Sequence, residues 1–571
     1  MNTNRRVEDL IPGIKLIRTY RSEFFSSDLM AGLSVAAVAL PIGIAYASLA
    51  GFSPVVGIYS CILPMIAYAI FGSSRQLIVN PDAAACSIVA ATVAPLAAGN
   101  ADRYLELSII LAALTGVLCI LGGLAGFGVI ANFLSRPILT GYLNGIALTI
   151  IAGQLGALCG FQVPKGGFFH TVAGTFLRLN QTHLPTFILG VSLLVLIFLL
   201  KKFVPRLPAP LVVAVLGCAA VFFMGLSAKG VAVVGSVPAG FPSPLVPQVN
   251  KQEIWPLLFG AGGIALVSFC SMMTTARGFA AKNGYRIDVN RDMFALGVSD
   301  LASAFNRGFV VSGADSRTAV ADSAGGKTQV TSLVAAVVIS LVLLFLTGPL
   351  AYVPIATLAA ILISSALGLF DFASLKRYYR ISKPEFRHSL VAMLGVMTIG
   401  VLPGVLIAIG LALLKLLLQA SRPRDEVLGL IPGGDGYEFI SEQNGGIPIP
   451  GVIIYRFEAS LVFFNADYFS DRVHGLLRDS KSPPKHFLLD AESIPFMDVS
   501  GTYEIESLRA SLADQGIVLG VARASSWVRM IMDRAGVSES IGADNIYYSI
   551  HSGVERFGQN GTKTLVKTKE E

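Results

Sequence analysis

Val311-Ser312-Gly313-Ala314-Asp315-Ser316-Arg317-Thr318 sets two charges and several hydroxyls between strongly apolar segments. An ionised Asp or Arg at bilayer depth is costly unless it is paired or lines a wet cavity, so such a residue marks a functional site. Gly313 weakens a helix just where Ser316, Arg317 and Thr318 begin a new one. A helix that starts inside the membrane aims free backbone N–H groups and the positive end of its dipole at the cavity, which favours an anion. With Arg317 beside that terminus, the expected ligand is negative. The alternative for these eight residues taken alone is a surface loop whose Arg snorkels to the interface.

The surroundings favour the membrane. Hydrophobic content of 54%, charged content of 14% and a mean hydropathy of +0.68 lie outside the soluble range. Long apolar runs recur from about residue 28 to about residue 421, so the chain reads as an α-helical polytopic membrane protein. After Ser421 the balance of charged to apolar residues changes, and the remaining stretch suits one soluble domain. The expected organisation is a cytoplasmic N-terminal segment (1–25), a membrane domain (26–424), a cytoplasmic domain (425–557) and a polar, disordered tail (558–571). Residues 1–23 are basic but show no small-residue cleavage site after a short apolar core, so no removable signal peptide is expected.

A net charge of +7 raises nucleic acid as a partner, but the basic residues flank apolar runs, where topology explains them; nucleic-acid binding is rejected. The six cysteines, Cys61, Cys86, Cys119, Cys159, Cys218 and Cys270, all fall in apolar segments without metal-ligand spacing. They read as free thiols packed as small hydrophobes, and no metal or cofactor is expected. Gly325-Gly326-Lys327-Thr328 looks like the end of a phosphate-binding loop, yet position 321 is Ala where the motif needs Gly and no soluble strand precedes it. That excludes a built-in ATPase, and no enzymatic activity is expected.

Apolar segments lie near 28–50, 54–71, 82–97, 105–127, 136–159, 183–200 and 209–226, and again near 255–276, 292–306, 314–324, 328–346, 350–369, 386–402 and 404–420. Seven plus seven returns the C-terminus to the side of the N-terminus. Alternate connections carry Arg75, Arg136, Lys201-Lys202-Arg206, Arg277 to Arg291, Lys376 to Lys383 and Arg422-Arg424, whereas the others carry scattered residues such as Arg103, Lys165 and Lys251. The positive-inside rule then makes both termini cytoplasmic.

The third segment, opened by Asn80-Pro81-Asp82-Ala83-Ala84, and the tenth, Asp315 to Ala324, are too short and polar to cross a bilayer of about 30 Å, which takes about 20 helical residues. Each follows a break, Pro81 or Gly313, and each is third in its group. Interrupted segments at matching positions of two halves point to a midplane binding site in an inverted-repeat transporter; the alternative is two unrelated kinks. Gly116, Gly122, Gly123, Gly126, Gly260, Gly262 and Gly263 read as close-packing positions. In the soluble part Val452–Tyr455, Leu461–Phe464, His486–Asp490 and Ile517–Val521 read as strands, and Tyr468–Arg478 and Gly501–Gln515 as helices, giving a small α/β domain.

These residues resemble the SulP anion permeases, the bacterial relatives of sulfate transporters and prestin, followed by a STAS domain. Pro54-Val55-Val56-Gly57-Ile58-Tyr59-Ser60, running to Phe71-Gly72-Ser73-Ser74-Arg75, is similar to the family's sulfate-transporter signature, with Val56 where Tyr is usual. Leu134-Ser135-Arg136-Pro137, Lys282-Asn283-Gly284-Tyr285 and Ser316-Arg317-Thr318 before Gly325-Gly326-Lys327-Thr328-Gln329 add to it, as do Leu488-Leu489-Asp490 and Asp498-Val499-Ser500-Gly501 in the tail. The resemblance implies fourteen segments in two inverted repeats, a core of spans one to four and eight to eleven holding the substrate, a gate made of the others, and a homodimer in the lipid bilayer. It places the anion among Asp82, Ala83, Ala84, Ser271, Asp315, Ser316, Arg317 and Thr318.

Three departures touch mechanism. Coupled relatives carry an acid in the eighth span where this chain has Ser271; Gln is common after the Pro matching Pro41, where this chain has Ile42; and Asp82 stands where a neutral residue is common. A carboxylate beside a bound anion repels it unless protonated or offset by Arg317. Asp82 is therefore the candidate for the missing acid, taking a proton as the anion enters; its alternative role is a permanent partner of Arg317 or a helix cap. Ser500 occupies the place that is phosphorylated in soluble STAS proteins, and its alternative role is N-cap of the helix from Gly501.

The reading is thus a multi-pass inner-membrane secondary transporter working by alternating access, with sulfate as first substrate and bicarbonate or a C4-dicarboxylate as alternatives. Two rivals are an anion channel or motor and a sensor whose STAS domain binds a cytoplasmic protein partner.

Overall fold

The computed structural model describes residues 12–132, 136–163, 167–204, 207–243, 245, 247–431, 436–440, 447–480 and 484–559. The first eleven residues, Leu134 and Ser135 of the quoted motif, and the tail from residue 560 lie outside the described residues. The chain forms two compact units, Met1–Ala412 and Leu413–Glu571.

The first unit is helical, and every one of the fourteen apolar stretches is met by helix. Its elements are α1 (Pro12–Thr19), α2 (Phe25–Ala50), α3 (Pro54–Tyr59), α4 (Leu63–Phe71), α5 (Ala83–Ala97), α6 (Ala101–Leu124), α7 (Arg136–Cys159), α8 (Phe168–Leu177), α9 (Leu184–Phe203) and α10 (Ala209–Met224). There follow α11 (Lys251–Lys282), α12 (Val289–Phe305), α13 (Asp315–Ser323), α14 (Val330–Phe345), α15 (Thr347–Leu350), α16 (Ile355–Leu369), α17 (Phe372–Ile381), α18 (Lys383–Ile399) and α19 (Val401–Ser421). The contact boundary between the units falls within α19. Among the described residues seven helical spans are long and apolar enough to cross a bilayer. The second apolar stretch is divided into α3 and α4, and the amphipathic α1 and α17 and the short apolar α8 were not among the expected segments.

The most extensive packings fall into two sets. α6 packs on α12 and α11, and α2 on α14; separately, α7 packs on α18 and α16, and α9 on α16. Glycine sets these distances. A Cβ on Gly116 would lie 2.7 Å from Gly297 O, one on Gly123 would lie 2.7 Å from Asn290 O, and one on Gly57 would lie 2.1 Å from Gly43 O. The last contact gives the signature glycine its reason: α3 crosses α2 backbone to backbone. Gly126 and Gly262 correct the expectation of close packing, since both face open space, Gly126 with a φ of +79° past the end of α6. The cysteines are all free thiols, five of them buried.

The second unit is an α/β domain with a six-stranded sheet. Its strands are β3 (Asp425–Leu430), β4 (Tyr437–Phe439), β5 (Val452–Phe457), β6 (His486–Asp490), β7 (Val518–Ala522) and β8 (Ile546–Tyr547), in the order β4-β3-β5-β6-β7-β8. β5 to β8 run parallel and β3 pairs antiparallel with β4 and β5. Parallel strands are covered on both faces, and Phe487, Leu488 and Leu489 in β6 are accordingly all buried. The helices are α20 (Ala466–Asp479), α21 (Val499–Asp514), α22 (Ser526–Arg534), α23 (Val537–Ile541) and α24 (Ile550–Gln559). Leu461–Phe464 is not a strand: only Leu461 bridges to Met497, because the Asn465 side chain accepts from Val462 N at 2.9 Å and donates to Ser460 O at 2.9 Å, turning the chain into α20.

Candidate anion site

Two residues of strand bring the broken spans together. β1 (Val79–Asn80) pairs antiparallel with β2 (Ser312–Gly313), Val79 opposite Gly313 and Asn80 opposite Ser312, so the chain leaves the ladder in opposite senses into α5 and α13. At 15 and 9 residues, both helices are shorter than the bilayer requires. Further bonds lock the crossing: Ala314 N donates to Ile78 O at 2.8 Å, and Ile78 N donates to Thr318 Oγ1 at 3.0 Å. Gly313 serves close approach, since a Cβ there would lie 2.6 Å from Met272 Cγ on α11.

Arg317 is the centre of the site. Its side chain is among the largest that are fully buried, and its guanidinium donates to Pro81 O and to Ser316 Oγ (3.1 Å) and lies 5.4 Å from the Tyr46 ring centroid. Arg317 therefore ties the start of α13 to the residue before Asp82. Its Nε is buried without a partner. A buried donor left unsatisfied in this way is costly, and an arriving acceptor would complete it.

Asp82 is the N-cap of α5: its Oδ2 accepts from Ala84 N at 3.2 Å. The carboxylate thus occupies the position at a helix N-terminus that an anion would take. Asp315, in the first turn of α13, accepts from Thr275 Oγ1 on α11. Asp82, Asp315 and Arg317 are close enough to act on one another electrostatically, so two carboxylates face one guanidinium. Asp82 is half-buried, whereas Asp315 and Ser316 are exposed beside the buried Arg317, so the centre is not sealed.

The ladder thus brings Asp82, Ala83, Ala84, Asp315, Ser316 and Arg317 into one place. Ser271 lies on α11, one helical turn before Thr275, and is buried. Thr318 is adjacent but fully buried, and its hydroxyl serves the backbone of Ile78. Sequence reasoning missed Tyr46, Thr275 and the Pro81 carbonyl. The i, i+4 relation of Ser271 and Thr275 was the available signal for Thr275; Tyr46 had none, because the ladder alone brings α2 against it. Asn80 was quoted only as the opening of the third span: its Oδ1 accepts from the Cys61 thiol at 3.2 Å while its Nδ2 is buried without a partner.

The loop after α13 also has its explanation. Lys327 N and Thr328 N donate to Asp28 Oδ1 at 2.7 and 3.0 Å, and Thr328 Oγ1 donates to Asp28 Oδ2 at 2.6 Å. The backbone nest that looked like part of a phosphate loop is filled by a carboxylate from α2.

In the soluble unit Asp498, not Ser500, is the N-cap of the helix: Asp498 Oδ1 accepts from Gly501 N at 2.9 Å, and α21 begins at Val499. The expected start at Gly501 was two residues late. Asp498 outcompetes Ser500 because its Oδ2 also accepts from Phe463 N at 2.9 Å, fixing the carboxylate between two segments.

A broken-helix membrane bundle followed by a mixed-sheet domain defines a class, and comparison supplies the family. The model of the Sulfate permease family matches residues 25–392, and that of the STAS domain matches residues 446–553. The chain belongs to the sulfate permease family. It is 38% identical over 546 residues to a probable sulfate transporter of Mycobacterium tuberculosis (strain CDC 1551 / Oshkosh), covering 96% of this chain and 98% of that protein. It is 29% identical to the chloroplastic sulfate transporter 4.1 of Arabidopsis thaliana, covering 96% and 82%. Among solved structures, the murine solute carrier 26 family member A9 anion transporter in its inward-facing state matches with a TM-score of 0.90 and 25% identity, covering 98% of this chain and 95% of that one. The transmembrane domain of a cyanobacterium bicarbonate transporter, BicA, shares the fold at a TM-score of 0.60 and 21% identity, covering 69% and 98%.

Proposed function

We propose that this member of the family moves a small inorganic anion, sulfate first, across the membrane by alternating access, with Asp82 carrying a coupled proton. The observation that supports this most is the convergence of two helix N-termini, one buried guanidinium with an unsatisfied Nε, and two carboxylates at a single two-residue ladder. With both acids ionised the centre is already negative, and a dianion would be repelled. Protonating Asp82 removes one charge and weakens its hold on Ala84 N–H, so the same event admits the anion and lets it compete for that donor. Ser316, Arg317 and the N–H groups of Ala83 and Ala84 are the proposed ligands, with Ser271 and Asp315 at the margin and Thr318 holding the ladder. The two packing sets support a core containing α2, α6, α11, α12 and α14 that moves against a gate containing α7, α9, α16 and α18. The positive-inside pattern supports cytoplasmic termini in an inner membrane.

The test is uptake of radiolabelled sulfate by proteoliposomes, with bicarbonate and succinate as competitors. Accumulation above equilibrium under an inward proton gradient is expected. Equilibration without accumulation would replace the transporter by a channel, and preferential competition by bicarbonate or succinate would reassign the substrate.

A further inference from the structure

A second basic site lies outside the ladder. A cavity of about 690 Å³ is bounded by the N-terminal segment, the Gly72–Arg75 loop, the connection from α11 to α12 and the loop after α13. Arg21, Arg75, Arg286, Arg291 and Lys327 line it, against one carboxylate, Asp288. That carboxylate is committed, because Asp288 Oδ1 caps α12 by accepting from Arg291 N at 3.1 Å. Arg21 pairs with Glu23 at 3.3 Å, and Arg75 lies over the Tyr285 ring at 5.2 Å. Among the described residues, Arg75, Arg286, Arg291 and Lys327 form no ion pair.

Topology alone would scatter positive charge along a membrane rim. Here four separate segments turn it onto one concavity, whose wall is stiffened by Ser74 Oγ and Tyr285 Oη at 2.9 Å and by Asp292 Oδ1 accepting from Ser73 N at 2.7 Å. We propose that this cavity binds an anion bearing two or more phosphate groups. Five cations against one carboxylate leave a surplus of four positive charges, of which one phosphate of about −2 balances only half, and guanidinium groups match phosphate oxygens in geometry as well as charge. Phe24 lines the cavity, and beside it Phe25 and Met30 on α2 are 52% and 58% exposed. An apolar surface next to a basic cavity accommodates the acyl chains of a diphosphate lipid, although a soluble diphosphate presents the same headgroup chemistry. Arg75 precedes β1 and Lys327 follows α13, so the bound anion would bridge the loops flanking both broken helices.

Wild-type protein in phosphatidylcholine nanodiscs is titrated with cardiolipin, read by native mass spectrometry, and separately with pyrophosphate, read by calorimetry. Binding of cardiolipin alone assigns the site to lipid, and binding of pyrophosphate assigns it to soluble diphosphates as well. The triple variant Arg75→Gln, Arg286→Gln, Lys327→Gln is expected to bind about a hundred-fold more weakly, about five-fold for each basic residue removed. The control triple Lys376→Gln, Arg377→Gln, Arg380→Gln in α17 should bind as wild type. If the pocket triple does not keep its melting temperature in phosphatidylcholine alone, Lys327→Gln is read by itself, with about five-fold expected. Equal losses in the pocket and control variants, or no binding of either probe to wild type, would overturn the proposal.

Discussion

Replacing Asp82 by Asn removes a charge while keeping a cap. Asn and Asp are about equally good at a helix N-terminus, and the Asn carbonyl can still accept from Ala84 N, which now donates to Asp82 Oδ2 at 3.2 Å. Asp82→Asn should therefore leave the fold intact. Asp82→Ala removes the cap as well and should cost about 1 kcal/mol of stability. The coupling effect is distinct from both structural effects, because it is read as an accumulation ratio and not as stability. If one proton enters with each anion through Asp82, a gradient of one pH unit contributes about 1.4 kcal/mol, or about ten-fold accumulation at equilibrium. Asp82→Asn should lower that ratio to about one while exchange of labelled for unlabelled sulfate continues. The assay measures internal and external label in proteoliposomes with an imposed, clamped pH difference. Ten-fold accumulation by Asp82→Asn would refute the assignment and leave Asp82 a cap alone.

Four further outcomes follow from the geometry. Arg317→Gln should weaken sulfate binding about 30-fold, the equivalent of about 2 kcal/mol for interactions with a charged donor, as read by calorimetry. Gly141→Ala should lower the melting temperature of the purified protein, because the new Cβ would lie 1.9 Å from Ser389 O where α7 meets α18, and overpacking costs about 1–3 kcal/mol. Asp490→Ala should destabilise the STAS domain by about 3 kcal/mol. It leaves Arg456 and Arg523 without the carboxylate they hold at 2.7 and 2.5 Å, which hydrogen exchange of β6 in the full chain would register. Burial, with Lys485 adding to it, holds the His486 imidazole below its ordinary value, so the folded domain favours the neutral ring. Its contribution is complete above about pH 6.5, the unfolded value, and is lost as pH falls through the folded one. Proteolysis of the domain should therefore speed up between pH 7 and pH 5.5 in wild type, and less so in His486→Phe.

The membrane architecture was legible because hydropathy is a strong signal over long runs, and the two broken spans were legible because Pro81 and Gly313 interrupt them beside charges. The short amphipathic helix α17 escaped because its apolar face never forms a run, and α8 because its 10 residues, though apolar, are too few for a span. In the soluble domain the parallel strands β5 to β7 announced themselves as apolar blocks, whereas β3, with Asp425 and Glu426, did not. Leu461–Phe464 misled because four apolar residues in a row satisfy strand periodicity while one following residue, Asn465, decides the turn. At the site, charge and backbone breaks were visible but partners were not. Nothing local connects Tyr46 to Arg317 or Thr275 to Asp315, since those contacts are made by α2 and α11 in the tertiary structure.

The most direct test of the anion site uses selenate as a heavy sulfate analogue and locates it by anomalous scattering in crystals of the protein. A peak within hydrogen-bonding distance of Arg317, Ser316 and the N–H groups of Ala83 and Ala84, absent in Arg317→Gln, is the result expected. A peak elsewhere in the membrane domain, or one that persists in Arg317→Gln, would contradict the account.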